Sequence, residues 1–321
     1  MFPESWLPDA AQRIAPFIKH TPLTYDHEHQ IYLKWENQQV TGSFKARGAF
    51  NKVLSLEAWE RERGLVAASA GNHGQGVALA AQKAGTRAII FASENAVPAK
   101  IEAMRKLGAE LHLVPGGYGE AEKAGLEYAR KVGGTWVSPY NDGQVIAGQG
   151  TIALEVWEDL PDDSPLTWIV PVGGGGLVAG IGVALASRPP SVPARDRLVG
   201  VQSEASPFLH DIFHHGSQDS SVELPSLADG LAGPVEEGSV TIPLVRRVVQ
   251  EIVLVSEEAI ADAVATCWSR YGQRIEGSAA VTLAAILSGA VRQRPALLVI
   301  SGGNIQPALF EKILIDYGFQ R

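Results

Sequence analysis

From Leu65 onward, short apolar runs alternate with helix-length stretches, and few architectures accept that order. Residues 65–69 form a run suited to a buried strand. Residues 72–84 carry small and apolar side chains along one side, and Gly85 ends them. Residues 88–91 and 111–114 read as further strands. Between them Pro98 opens a helix with Ile101, Met104 and Leu107 on one face, closed by Gly108. A helix over 120–132, ended by Gly133 and Gly134, precedes a strand over 135–137. Each strand is followed by a helix long enough to cross back over a sheet, so a parallel α/β arrangement is predicted.

The second half repeats the order. Helices are expected over 149–160, 177–187, 207–213 and 277–290, and strands over 168–172, 198–202, 252–255 and 296–300. Ser256 caps one more helix, predicted to bury Ile260, Val264, Cys267, Trp268 and Tyr271. Residues 188–197 and 214–245 are rich in Pro, Ser, Gly and charge and are expected as loops. With 321 residues, the chain exceeds one usual domain of ~100–200, so two lobes are expected. The stretch 164–187 is uncharged and long enough to span a bilayer, but two prolines and six glycines break it. It reads as a buried strand, a glycine loop and a helix.

Composition narrows the function classes. Hydrophobic content of 45% supports a packed core. A net charge of −8 gives no basic patch, so neither nucleic acid nor an anionic membrane is an expected partner. One cysteine, Cys267, allows neither an intrachain disulfide nor a CxxC motif, and residues 1–17 show no signal peptide. A reducing, cytoplasmic location is expected.

Several segments have the composition of a chemical site. Gly173, Gly174, Gly175 and Gly176 lie between an apolar strand and a helix. Backbone amides there can converge on an anion, with phosphate the natural guest. A plain tight turn is the alternative. No Lys-Ser or Lys-Thr follows, so it is not a nucleotide P-loop. Gly174, Gly176 and Ala179 also fit a dinucleotide fingerprint, with Glu204 near a ribose-binding position, which keeps a nicotinamide enzyme open. Lys45 sits among small and apolar residues in 43–48, a setting that eases loss of its proton; an ordinary surface lysine is the alternative.

Ser69, Ala70, Gly71, Asn72 and His73 form a second strand-to-helix junction, suited to a carboxylate or simply to a helix cap. Ser301, Gly302, Gly303 and Asn304 follow the last strand, where open parallel sheets bind ligands, or form only a glycine turn. Glu276 opens a helix, where a glutamate commonly serves the dipole alone. His210 and His214, with Asp211 and His215, read as a solvated loop or helix end, because spacing places no third metal ligand. His27 and His29 read the same way.

Together these segments resemble the fold-type II pyridoxal-phosphate enzymes, most closely the threonine/serine dehydratase (threonine ammonia-lyase) and serine racemase branch. The resemblance covers nearly the whole chain and includes 147–151, 228–232 and 276–279. It implies two open parallel-sheet lobes of the tryptophan synthase β-like architecture. Residues 1–50 and 143–321 would form a large cofactor-binding domain, and 51–142 a small mobile one. Pyridoxal 5'-phosphate would be held covalently by Lys45, the catalytic residue. Gly173 to Gly176 and Leu177 would take its phosphate, Asn72 its ring hydroxyl and Ser301 its pyridine nitrogen. Phe44 and Glu276 would complete the cofactor site, while Ser69, Ala70, Gly71, Asn72 and His73 would hold the substrate carboxylate.

The implied activity is β-elimination of a β-hydroxy amino acid, such as L-threonine or L-serine, to a 2-oxo acid and ammonia. Hydroxyaspartate dehydratase, serine racemase, threonine synthase, sulfhydrylase and a silent cofactor-binding protein remain alternatives. A homodimer acting on a small amino acid is implied. Two departures narrow the branch. Serine racemases carry a second serine where this chain has Ala70, so racemisation is expected to be weak. A divalent-metal site of many relatives begins with a Glu after Gly-Val; here Gln202 follows Gly200-Val201, and the later carboxylate position is Phe208, so no metal is expected even with Glu204 nearby. Only 17 residues follow Asn304, so no appended regulatory domain is expected.

Overall fold

The computed structural model describes residue 3 and residues 5–161, 164–188 and 196–319. The chain opens with α1 (Trp6–Ile14) and two strands, β1 (Leu23–Asp26) and β2 (Ile31–Trp35). α2 (Lys45–Ser55) and α3 (Ala58–Glu62) lead into β3 (Leu65–Ala68). Then follow α4 (Asn72–Ala84), β4 (Ala88–Ser93), α5 (Pro98–Lys106), β5 (Glu110–Val114), α6 (Tyr118–Val132) and β6 (Thr135–Trp136). α7 (Gly143–Asp159) leads to β7 (Thr167–Pro171), α8 (Gly176–Ala186), β8 (Arg197–Ser203), α9 (Phe208–His215) and α10 (Thr241–Val248). β9 (Glu251–Val255), α11 (Glu257–Tyr271), α12 (Gly277–Leu287), β10 (Ala296–Ile300) and α13 (Pro307–Asp316) complete it.

The strands make two sheets. The larger has the order β1-β2-β10-β7-β8-β9 and the smaller β5-β4-β3-β6. All pairings are parallel except β1 with β2. Helices cover both faces of the larger sheet, so its central strands are apolar on both sides. Along β10, Ala296, Leu298 and Ile300 join the cluster under α11, α12 and α13, whereas Leu297 and Val299 join the one under α7 and α8. Among the described residues no helix is long and apolar enough to cross a membrane.

Several expectations shift. α7 begins at Gly143 rather than at residue 149, because the Asp142 carboxylate accepts from the Gln144 and Val145 amides and caps it there. α10 occupies part of the segment expected as loop, burying Thr241 and Val245. The expected loop at 188–197 lies mostly outside the described residues. Trp268 stays 40% exposed, edge-on to Phe310, rather than buried. The antiparallel β1–β2 pair makes the larger sheet mixed.

α2 and α7 cross with their backbones nearly touching. A Cβ on Gly148 would lie 2.7 Å from the Arg47 carbonyl oxygen, and one on Gly48 would lie 2.4 Å from Gln149 Nε2. Beside this crossing sits Arg47, with no exposed side-chain surface. Its guanidinium donates to Glu36 Oε2 and Oε1, each at 2.8 Å, and to Glu155 at 2.6 and 2.8 Å. Lys34 Nζ adds 2.8 Å to Glu155. Both glutamates hold the Arg47 proton more tightly than usual, against the cost of burial. Arg47→Met would strand the fully buried Glu36 carboxylate and leave Glu155 with Lys34 as its cationic partner. It should cost about 3–5 kcal/mol of stability, read as a lower urea midpoint. An unchanged midpoint would show that the network adds no net stability.

Candidate active site

The carboxyl ends of parallel strands collect the expected residues. β10 runs into Ser301, β7 into Gly173, and β3 into Ser69. Lys45 arrives differently. The segment before α2 docks onto the segment after β10: Phe44 N donates to Ser301 O at 3.0 Å and Gly303 N to Gly42 O at 2.9 Å. That pairing sets the start of α2, and so Lys45, beside Ser301. Lys45 Nζ donates to Pro139 O at 2.9 Å and lies 5.2 Å from the centre of the Phe44 ring. Burial pushes its amine down to about 8, against the pull of the Glu276 carboxylate.

Asn72 joins the lobes. Its Nδ2 donates to Glu276 Oε1 at 2.7 Å, and its Oδ1 accepts from Asn304 Nδ2 at 2.7 Å. Asn304 Nδ2 also donates to Thr41 O at 2.9 Å. Glu276 is buried, and burial lifts its carboxyl to about 7; the Asp229 charge adds to the rise, while Lys100 and the Asn72 hydrogen bond oppose it. Burial thus moves both Lys45 and Glu276 toward neutrality; the Glu276 charge draws Lys45 back, and Lys100 opposes the shift of Glu276.

The glycine run is packed too closely for side chains. A Cβ on Gly174 would lie 2.4 Å from the Tyr140 ring, and one on Gly176 would lie 2.9 Å from Tyr140 Cα. Gly175 has φ +88°, a conformation that favours glycine. Thr241 Oγ1 donates to Gly174 O at 2.7 Å and pins the loop from α10. Among the described residues none accepts a hydrogen bond from the amides of Gly173 to Leu177. Free amides at the start of an 11-residue helix suit a phosphate.

The junction at 69–73 is partly self-satisfied. Ser69 N donates to Phe91 O, and Gly71 N donates to Ser69 Oγ at 3.0 Å. The amides of Ala70, Asn72 and His73 have no acceptor among the described residues. The His73 ring is not aimed at a ligand: its Nε2–H donates to Val137 O at 2.8 Å. Burial and the Lys45 charge push its pKa down to about 3, so the ring is neutral.

Some site residues were not foreseen. Tyr140 and Pro139 connect the glycine run to Lys45, and Asn304 fixes Asn72. Asn304 carried a signal in Ser301-Gly302-Gly303-Asn304; Tyr140 carried none, since only tertiary packing brings it to the loop. At the position of the relatives' metal site, Gln202 is buried with its Oε1 accepting from His210 N, and Phe208 is in the core. Glu204 is exposed. His210, Asp211 and His215, for which spacing placed no third ligand, do come together on α9, with ligand atoms within 4.8 Å of one another.

Comparison with known proteins gives the same picture. L-threonine ammonia-lyase of Thermotoga maritima is 46% identical over 286 residues, covering 89% of this chain and 70% of that one. The catabolic L-threonine dehydratase of Escherichia coli K12 is 40% identical over 307 residues, covering 92% and 91%. The structure of maize serine racemase superposes with a TM-score of 0.86 at 29% identity, covering 98% of this chain and 97% of that one. The family profile described as pyridoxal-phosphate dependent enzyme matches residues 9–302. A match of that length takes in both sheets and runs from before Lys45 to Ser301, and so this chain belongs to the pyridoxal-phosphate dependent enzyme family.

Proposed function

We propose that the chain is a lyase that deaminates a β-hydroxy amino acid, L-threonine or L-serine, to a 2-oxo acid and ammonia. The names of its relatives point there. One observation carries the reading: a buried lysine amine held near 8 feels the Glu276 carboxylate, on a helix that starts where Phe44 pairs with Ser301, with free amides on two neighbouring loops. A nicotinamide enzyme would use the glycine run and Glu204 but would leave Lys45 and Ser301 without a task.

The residues fit pyridoxal phosphate. The Gly173–Leu177 amides match its phosphate, and Lys45 can anchor it. Asn72 spends one amide proton on Glu276 and keeps the other for the ring hydroxyl. Ser301 would meet the pyridine nitrogen, and Phe44 would lie near the ring. Bound, the cofactor supplies an electron sink for negative charge at the substrate α-carbon. The Ser301 hydroxyl does not force the ring nitrogen to stay protonated, which weakens that sink and favours quick loss of a leaving group over transamination.

The free amides of Ala70, Asn72 and His73 hold the substrate carboxylate. Lys45 Nζ takes the α-proton; the electron pair left behind forms the Cα–Cβ double bond as the β-carbon–oxygen bond breaks, and the hydroxyl takes up a proton and leaves as water. At pH 7 an amine near 8 is about one-tenth neutral, whereas an ordinary lysine is almost wholly charged. The Ala70 methyl cannot return a proton from the opposite side, so elimination outruns racemisation. We place the enzyme in the cytoplasm as a homodimer, in which 51–142 closes on 1–50 and 143–321.

Purified protein should release ammonia from L-threonine or L-serine, and Lys45→Ala should lose both turnover and the bound-cofactor absorbance. Ammonia release by K45A would sink the assignment. The Glu276 charge raises the Lys45 pKa, so removing it in Glu276→Gln lets Lys45 shed its proton at lower pH. The rising limb of the pH–rate profile should therefore move down relative to the parent; an unmoved limb would place Lys45 outside proton transfer. Gly174→Ala should weaken cofactor retention about tenfold or more, measured by absorbance after dialysis, because its Cβ would overlap Tyr140.

A further inference from the structure

Lys100 is a cation that the chemistry above leaves unused. It sits in the first turn of α5, on the smaller-sheet side of the site. Its side chain is only 20% exposed. Its ion-pair partner is Asp229 Oδ2 at 3.2 Å, from the short helical turn Asp229–Leu231 on the larger-sheet side. That carboxylate is 63% exposed, so water screens the pair and it contributes little. A largely buried ammonium is therefore matched by a weak counter-charge, and a stronger one would be favoured.

The ammonium also overlooks the substrate loop. Beyond its two chain neighbours, the heavy atom nearest to a Cβ built on Gly71 is Lys100 Nζ, at 4.0 Å. Gly71 lies between the free amides of Ala70 and those of Asn72 and His73. The Lys100 charge is also felt at Glu276, so it acts inside the site and not only on the surface. Three observations thus locate one cation: its approach to Gly71, its ion pair with Asp229 and its charge felt at Glu276.

We infer that Lys100 is a substrate-binding residue, whose ammonium supplements the Ala70, Asn72 and His73 amides in recognising the substrate carboxylate, while Asp229 parks it between turnovers. This rests on the proposed function, since it deepens the carboxylate site named there. The exchange is favourable because a carboxylate held by amides in the cleft is less screened than exposed Asp229. Selectivity follows: the site favours substrates with a free carboxylate over amides and esters.

Steady-state kinetics on the holoenzyme test it with three variants. Lys100→Met should raise KM for L-threonine about tenfold or more while kcat stays within about threefold, and Lys100→Arg should recover most of the loss. Asp229→Asn, which frees Lys100, should leave KM unchanged or lower it. If K100M and D229N raise KM equally, the pair is only an inter-lobe latch and the inference falls. It also falls if K100M leaves KM unchanged. Titration with L-alanine, which has no β-leaving group, separates this inference from the proposed activity. It should perturb the bound-cofactor absorbance in the parent and bind K100M about tenfold more weakly, even if the parent eliminates nothing. Equal L-alanine binding by parent and K100M overturns the inference by itself.

Discussion

Arg47 is the fixed point of this molecule. Its guanidinium has no exposed surface and is held by Glu36 and Glu155. A buried charge is tolerable only when its donors are met, and the fork of a guanidinium meets two carboxylates in one geometry. Glu36 follows β2 and Glu155 belongs to α7, so the pairing fixes α2 against both. Lys45 stands two residues before Arg47 on the same helix. The amine proposed to do the chemistry is thus positioned by a charge network that never touches the ligand.

The same economy of charge shapes the site. Lys45 and Glu276 are both pushed toward neutrality by burial, to about 8 and about 7. Neither is fully paired, unlike Arg47. Burial without complete pairing keeps a proton movable near neutral pH, whereas burial with complete pairing locks it. Structural and reactive cations of one helix therefore differ in their partners.

Much of the fold was legible because its signals are local. The 72–84 helix was read to its last residue: Gly85, at φ +66°, ends it by backbone conformation alone. The apolar strands were visible because both faces of each sheet are covered. What escaped had weaker or longer-range signals. The Asp142 cap is polar and lies outside the apolar spacing of its helix. α10 has only eight residues and a proline within them. Among site residues, Asn72, Gly173–Gly176 and Ser301 are legible from their place after strands, and Lys45 and Glu276 from their place at helix starts. Tyr140 and Lys100 are not, since an ordinary tyrosine and lysine acquire meaning only from what packs beside them.

By itself, the sequence determined the alternation of strands and helices, the glycine run and the residue types the chemistry needs, because these depend on neighbours along the chain. The tertiary structure decided which of them meet. It set Asn72 between Glu276 and Asn304, separated by 204 and 232 residues in sequence. It turned His73 away from the ligand toward Val137, and it set Lys100 over Gly71. Hydrogen bonds, burial and electric fields depend on distance in space, and a chain of residues does not contain that distance until it folds.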